Sequence, residues 1–228
     1  MDASSQEQTA TLTKHIPLPD PRPPLGEEIA NSVSHGVGLL ATLIASPVLI
    51  VQAVGNDKPW GVIGASVFVA ATTALYLAST LYHALPQGRS KHVLLILEHC
   101  AIYVLIAGTY TPVTLIAIGG TWGWTILWLV WLLAIVGILF KSITTTKYRW
   151  LPGVLYLALG WLIIIAVRPL WLSVPFPGLM WLLAGGLAYS VGLVFFSAKQ
   201  IPYGHFVWHL FVLAGTTCHF VAIGFYVI

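Results

Sequence analysis

His205 and His209 stand four residues apart in Tyr203-Gly204-His205-Phe206-Val207-Trp208-His209. On an α-helix that spacing stacks both imidazoles on one face with Cβ atoms roughly 5–6 Å apart. Two ring nitrogens can then converge on one metal ion at about 2.0–2.1 Å each. The spacing alone is ambiguous, since pairs of surface histidines share it. Here, however, the pair opens an apolar stretch that runs to Ile228, where ionisable groups are costly and face a bundle interior or a cavity. A third imidazole is offered by His83, which closes Ser79-Thr80-Leu81-Tyr82-His83. Glu98 is the only acidic residue after Asp57, and a buried carboxylate needs a cation or a proton. Three neutral histidines and one carboxylate match zinc (Zn2+), a borderline ion suited to imidazole. Magnesium and calcium prefer oxygen ligands. The competing expectation is that these histidines only hydrogen-bond neighbouring helices while Glu98 sits near headgroups.

Composition defines the elements that must position such a site. With 58% hydrophobic and 7% charged residues, the chain is too apolar for a soluble domain, which carries about 25% charged residues. At roughly 20 apolar residues per crossing, there is room for about seven helices, so the expected fold is an all-α membrane protein, a seven-transmembrane helix bundle. Residues 1–26 are polar, with Pro17, Pro19, Pro21, Pro23 and Pro24 crowded together, and read as a disordered tail preceding a membrane domain over 27–228. The expected spans are Glu27 to Val54, Trp60 to Leu85, His92 to Ile118, Trp122 to Lys141, Trp150 to Val167, Gly178 to Ala198 and Tyr203 to Ile228. Trp60, Trp122, Trp124, Trp150, Trp171 and Tyr203 fall at span ends, as an aromatic belt requires. Cys100 and Cys218, the two cysteines, fall inside spans and read as small buried hydrophobes rather than a disulfide. The net charge of +3 comes from scattered Lys and Arg, which argues for membrane topology and against nucleic-acid binding.

Orientation follows from the basic residues. A cytoplasmic N-terminus puts Lys14, Arg22, Arg89, Lys91, Lys141, Lys147, Arg149 and Lys199 inside and only Lys58 and Arg168 outside, a strong positive-inside bias. The C-terminus is then external, opposite to G-protein-coupled receptors, and no Lys in the seventh span is available for a retinal Schiff base. With this topology the inner ends of helices two, three and seven deliver His83, Glu98, His205 and His209 to one leaflet. The charge count that sets the topology does not require this agreement. Ser79 lies one turn before His83 on the same face and is a candidate to hold a metal-bound water or a neighbouring side chain. His35, with Asn31, Ser32 and Ser34, lies at the inner end of the first helix and either lines the same cavity or packs. His219 is about 15 Å beyond His209, too far to share an ion, and His99 points away from Glu98. Thr109-Tyr110-Thr111-Pro112 is expected to kink the third helix, and Gly185-Gly186 to allow close helix approach.

Four stretches, Glu27-Glu28-Ile29-Ala30-Asn31-Ser32, Tyr76 through His83, Ala107-Gly108-Thr109-Tyr110-Thr111-Pro112 and Trp208 through Gly215, resemble the bacterial hemolysin III family. That family is grouped with the progestin and adiponectin receptors, seven-helix membrane proteins with a cytoplasmic N-terminus. The resemblance covers essentially everything after residue 26. It implies zinc held by His83, His205 and His209, a location in the plasma membrane (the bacterial inner membrane), and kinship with intramembrane ceramidases and related lipid amide hydrolases. Family members carry Asp at the position of Glu98, where it contacts the zinc-bound water. Glu reaches one methylene further and either holds that water or ligates zinc directly. Three functions follow as expectations: a zinc-dependent hydrolase of a membrane lipid amide or ester, with Glu98 as general base; a sensor or homeostasis protein with a structural zinc and a protein partner still to be identified; and a haemolytic pore-former, disfavoured because no amphipathic stripe would line a wide channel.

Overall fold

A computed structural model of the chain describes residues 23–58, 60–143, 151–198 and 200–228. Among these residues, seven helices are long and apolar enough to cross a membrane: α1 Leu25–Gly55, α2 Gly61–Ala84, α3 Arg89–Ile118, α4 Gly120–Ile143, α5 Leu151–Ser173, α6 Phe176–Ser197 and α7 Gly204–Val227. There is no strand among the described residues. Each expected span is found, with ends moved by up to six residues. The proposed tail lies outside the described residues as far as residue 22, and Leu25 and Gly26 already belong to α1. Trp150 and the basic residues Lys14, Arg22, Lys147, Arg149 and Lys199 also lie outside the described residues.

The bundle is built as bilayer physics requires, with apolar side chains directed outward. Leu25, Ile29, Val33, Val37, Leu40 and Ile44 form an exposed stripe along α1 at three- and four-residue spacing, one face of a helix. The most extensive packing joins α2 to α3, α6 to α7 and α1 to α2. Small residues permit these approaches. A Cβ on Gly185 of α6 would collide with the His219 ring and lie 3.1 Å from the Gly215 carbonyl of α7. The core beside the site is formed by Leu75, Tyr76, Ala101, Leu105, Leu193, Trp208 and Val212.

Polar groups inside hydrocarbon must be satisfied within the protein. Thr72, Thr109, Thr111 and Thr114 each return a hydroxyl hydrogen to the carbonyl four residues earlier. After Pro112, residues Val113–Ile118 continue α3 as a π-helical turn, a departure from α-helical geometry just beyond this proline. In α5, Trp161–Ala166 is 3-10 helix, just ahead of Pro169, which lacks an N–H and crowds the preceding turn. The Tyr110 hydroxyl donates to the Gly160 carbonyl (2.7 Å) and accepts from the Ile163 N–H (2.8 Å), repairing the backbone there. At the opposite end from the histidines, Asn56 Nδ2 and Lys58 Nζ donate to the carbonyls of Ile228 and Val227, both over 2.9 Å, tying the α1–α2 turn to the end of α7.

Candidate metal centre

α2 carries His83 one residue before its end, α3 carries Glu98, and α7 begins at Gly204, so that His205 and His209 occupy its first two turns. Tyr203 adopts a left-handed conformation (φ 56°) immediately before α7. Gly204 then brings the new helix against α6, since a Cβ there would lie 3.2 Å from the Phe195 carbonyl. The result gathers His83, Glu98, His205 and His209 into one group, each offering a ligand atom, with all four atoms within 4.8 Å of one another. Glu98 Oε1 lies 3.5 Å from His83 Nε2 and 4.0 Å from His209 Nε2. His209 is fully buried, and His83 and Glu98 nearly so.

The outer contacts decide which nitrogens face inward. His83 Nδ1 lies 2.7 Å from Glu28 Oε2, and a carboxylate accepts, so Nδ1 carries the hydrogen. His209 Nδ1 lies 3.2 Å from the Asn31 carbonyl and 3.2 Å from Ser34 Oγ. Ser34 directs its own hydrogen to the Asn31 carbonyl (2.9 Å), so His209 Nδ1 is again the donor. In the neutral form of both rings the Nε2 lone pair then points at the cluster, and neither Nε2 has a hydrogen-bond partner among the described residues. An unsatisfied buried acceptor costs about 1–3 kcal/mol, a cost a metal ion would remove. Imidazole lone pairs braced from behind by a carboxylate and a carbonyl are the usual arrangement of metal-ligating histidines. The donor set fits a metal ion. Ser79, on the same face as His83, donates to Glu98 Oε1 over 2.6 Å, so it reaches the centre through the carboxylate.

His35, left open between cavity lining and packing, does both. Its ring stacks on His209 with centroids 3.6 Å apart and planes at 5°, and it lines a small cavity with Glu98 and His205. His99 donates Nδ1–H to the Leu95 carbonyl (2.7 Å), and His219 donates Nε2–H to the Leu182 carbonyl (3.2 Å); neither joins the cluster. Sequence reasoning missed Glu28 and Lys91. A carboxylate in the first turn of a helix ordinarily suits the helix dipole, yet Glu28 holds His83. Lys91 enters the sequence reading only as a cytoplasmic-side cation, yet it is buried in α3 and donates to Glu28 Oε1 (3.0 Å) and to the Leu85 carbonyl (3.1 Å). The same alternation of helix ends that grouped the histidines places the start of α1 beside them.

The small cavity, about 10 Å³, has room for roughly one water. Leu75, Ile102, Trp208 and Val212 line both it and a cavity of about 310 Å³. The larger space lies among α3, α5, α6 and α7 and is walled by apolar side chains such as Leu105, Ile106, Leu157, Trp161 and Leu183. A mostly apolar hollow thus adjoins a small one to which His35, Glu98, His99 and His205 contribute.

These features define a multi-pass seven-helix membrane protein with a histidine and carboxylate cluster near one end of its bundle. The sequence profile of the haemolysin-III related family matches residues 25–220, and the chain belongs to that family. It is 44% identical over 200 residues to the hemolysin-3 homolog of Bacillus subtilis (strain 168), covering 88% of this chain and 94% of the relative. It is 42% identical over 202 residues to hemolysin-3 of Bacillus cereus, covering 89% and 92%. The human monocyte to macrophage differentiation factor is 29% identical over 210 residues, covering 89% and 85%. That relative extends the likeness to the progestin and adiponectin receptor group expected from the motifs.

Proposed function

We propose that the protein is a zinc-dependent hydrolase acting on the amide or ester of a membrane lipid. The observation that carries this is the adjacency of the two cavities: Leu75, Ile102, Trp208 and Val212 separate an apolar hollow from a pocket lined by Glu98 and His205. His83, His205 and His209 would hold the ion. Zinc, when bound, supplies a Lewis acid and lowers the pKa of its water towards about 7. Glu98 would act as the general base, with Ser79 holding one carboxylate oxygen in place (2.6 Å). The apolar walls would seat an acyl chain and keep bulk water from the reacting carbonyl.

The test is turnover by purified protein in liposomes against ceramide-like and other N-acyl lipids and their ester counterparts. Cleavage that stops on chelation and returns with zinc is the expected result. No cleavage across the panel by zinc-loaded protein would overturn the hydrolase. A second reading is favoured by one distance. Glu98 Oε1 lies 3.5 Å from His83 Nε2, close enough for a small shift to make the carboxylate a fourth ligand. That would close the open position a catalytic zinc keeps and leave a clamp joining α2, α3 and α7 in a membrane sensor.

A further inference from the structure

Glu28 is a carboxylate in the first turn of α1 that reaches across to α2 and α3. Its Oε2 accepts from His83 Nδ1 over 2.7 Å, and its Oε1 accepts from Lys91 Nζ over 3.0 Å. Lys91 is held in turn by the Leu85 carbonyl at 3.1 Å and lies 4.8 Å over the Tyr82 ring. Every part of this chain is wholly or mostly buried. Its direction is consistent: Lys91 is fixed by a carbonyl and an aromatic face, Glu28 by Lys91, and His83 by Glu28. The far nitrogen of His83 lies 3.5 Å from Glu98 Oε1 and has no hydrogen-bond partner among the described residues. A free imidazole exchanges its proton between two nitrogens and rotates about its side-chain bonds. With Glu28 in place, one tautomer and one ring orientation are kept, and they direct the Nε2 lone pair into the cluster.

We infer that Glu28 is a positioning residue of the metal centre, setting the tautomer and aim of His83, with Lys91 anchoring Glu28 from behind. This rests on the metal-site part of the function proposed above and not on hydrolysis. It adds the first turn of α1 and the start of α3 to the elements that determine metal affinity, although neither Glu28 nor Lys91 belongs to the four-residue cluster. Loss of such a partner typically weakens metal binding 10- to 100-fold.

The experiment is competition for zinc between full-length protein in detergent and a chromophoric chelator, comparing wild type, E28Q, E28D and K91M. Nitrogen NMR of histidine-labelled protein reads the His83 tautomer in parallel. The expected result is zinc affinity about 10- to 100-fold lower in E28Q, a smaller loss in K91M, and a His83 signal no longer confined to the Nδ1-protonated form in metal-free E28Q. Should E28Q fail to fold, E28D retains the charge and withdraws it by one methylene, and the same loss is expected. A purely structural Glu28 would lower melting temperature equally with and without zinc and leave the affinity of folded protein unchanged, which would overturn the inference. Wild type that binds no zinc overturns both this inference and the hydrolase; zinc bound with equal affinity by wild type and E28Q overturns only the role of Glu28.

Discussion

Ser79 Oγ donates to Glu98 Oε1 over 2.6 Å, and that same oxygen is the one 3.5 Å from His83 Nε2. One hydroxyl on α2 therefore fixes the carboxylate of α3 against the histidines of α2 and α7. Burying a carboxylate is tolerable only when it is hydrogen-bonded or paired, and this contact supplies the hydrogen bond while directing the oxygen into the cluster.

Glu98→Gln tests what the oriented oxygen does. The amide is nearly isosteric and cannot accept the proton that a general base takes. The variant is expected to retain zinc by elemental analysis while losing about 10²- to 10⁴-fold in turnover. Ser79→Ala should fall between wild type and Glu98→Gln, since the carboxylate remains but loses its brace. If Glu98→Gln instead loses the ion, the carboxylate is a ligand and the clamp becomes the better account.

His209→Ala removes a proposed ligand that is fully buried and braced by Asn31. Zinc should disappear from the purified variant, and added zinc should no longer raise its melting temperature. A ligand present at 100 times its Kd stabilises the folded state by about 2.7 kcal/mol, so the missing increment lies well within reach of thermal unfolding. Unchanged zinc content would remove His209 from the centre.

Much of this site was legible in the sequence, because histidines and a lone carboxylate are conspicuous in apolar helices. Helix alternation then fixed which ends meet. His83, Glu98, His205 and His209 required nothing more. Glu28 escaped because a carboxylate in the first turn of a helix already has an ordinary explanation in the helix dipole, and Lys91 because a cation near a span end suits the positive-inside pattern. Their real partners lie on other helices, 55 and 63 residues away from Glu28, and sequence spacing carries no rotational information between helices. The large cavity was likewise invisible. It is lined by the 3-10 stretch of α5 and by glycines such as Gly186, which come together only once the helices are packed.

Topology is testable without chemistry. The described basic residues Arg89, Lys91 and Lys141 sit at the histidine end of alternating helices, and Lys58 and Arg168 at the other. With the histidine end cytoplasmic, a reporter fused after Ile228 should read as external and one inserted at Gly88 as cytoplasmic. The opposite pattern would put the cluster in the outer leaflet and redirect the search for a substrate to lipids of that face.

The large cavity can be narrowed without touching the metal centre. Gly186 lines it, and a Cβ there would lie 3.8 Å from the nearest atom of the Trp161 ring, with no closer heavy atom outside its own helix turn. Leu is also a better helix former than Gly, so Gly186→Leu should fold, bind zinc as wild type does and project its isobutyl group into the hollow. If an acyl chain occupies that space, long-chain N-acyl lipids should lose at least about 10- to 200-fold in kcat/KM, the range for a single-methylene misfit in an apolar pocket. Short-chain analogues that end before Gly186 should be spared. Equal losses for all chain lengths would point to a disturbed centre, and no loss for any would place the acyl chain elsewhere. The ratio between long and short substrates, measured at equal zinc occupancy, therefore reports on the cavity alone.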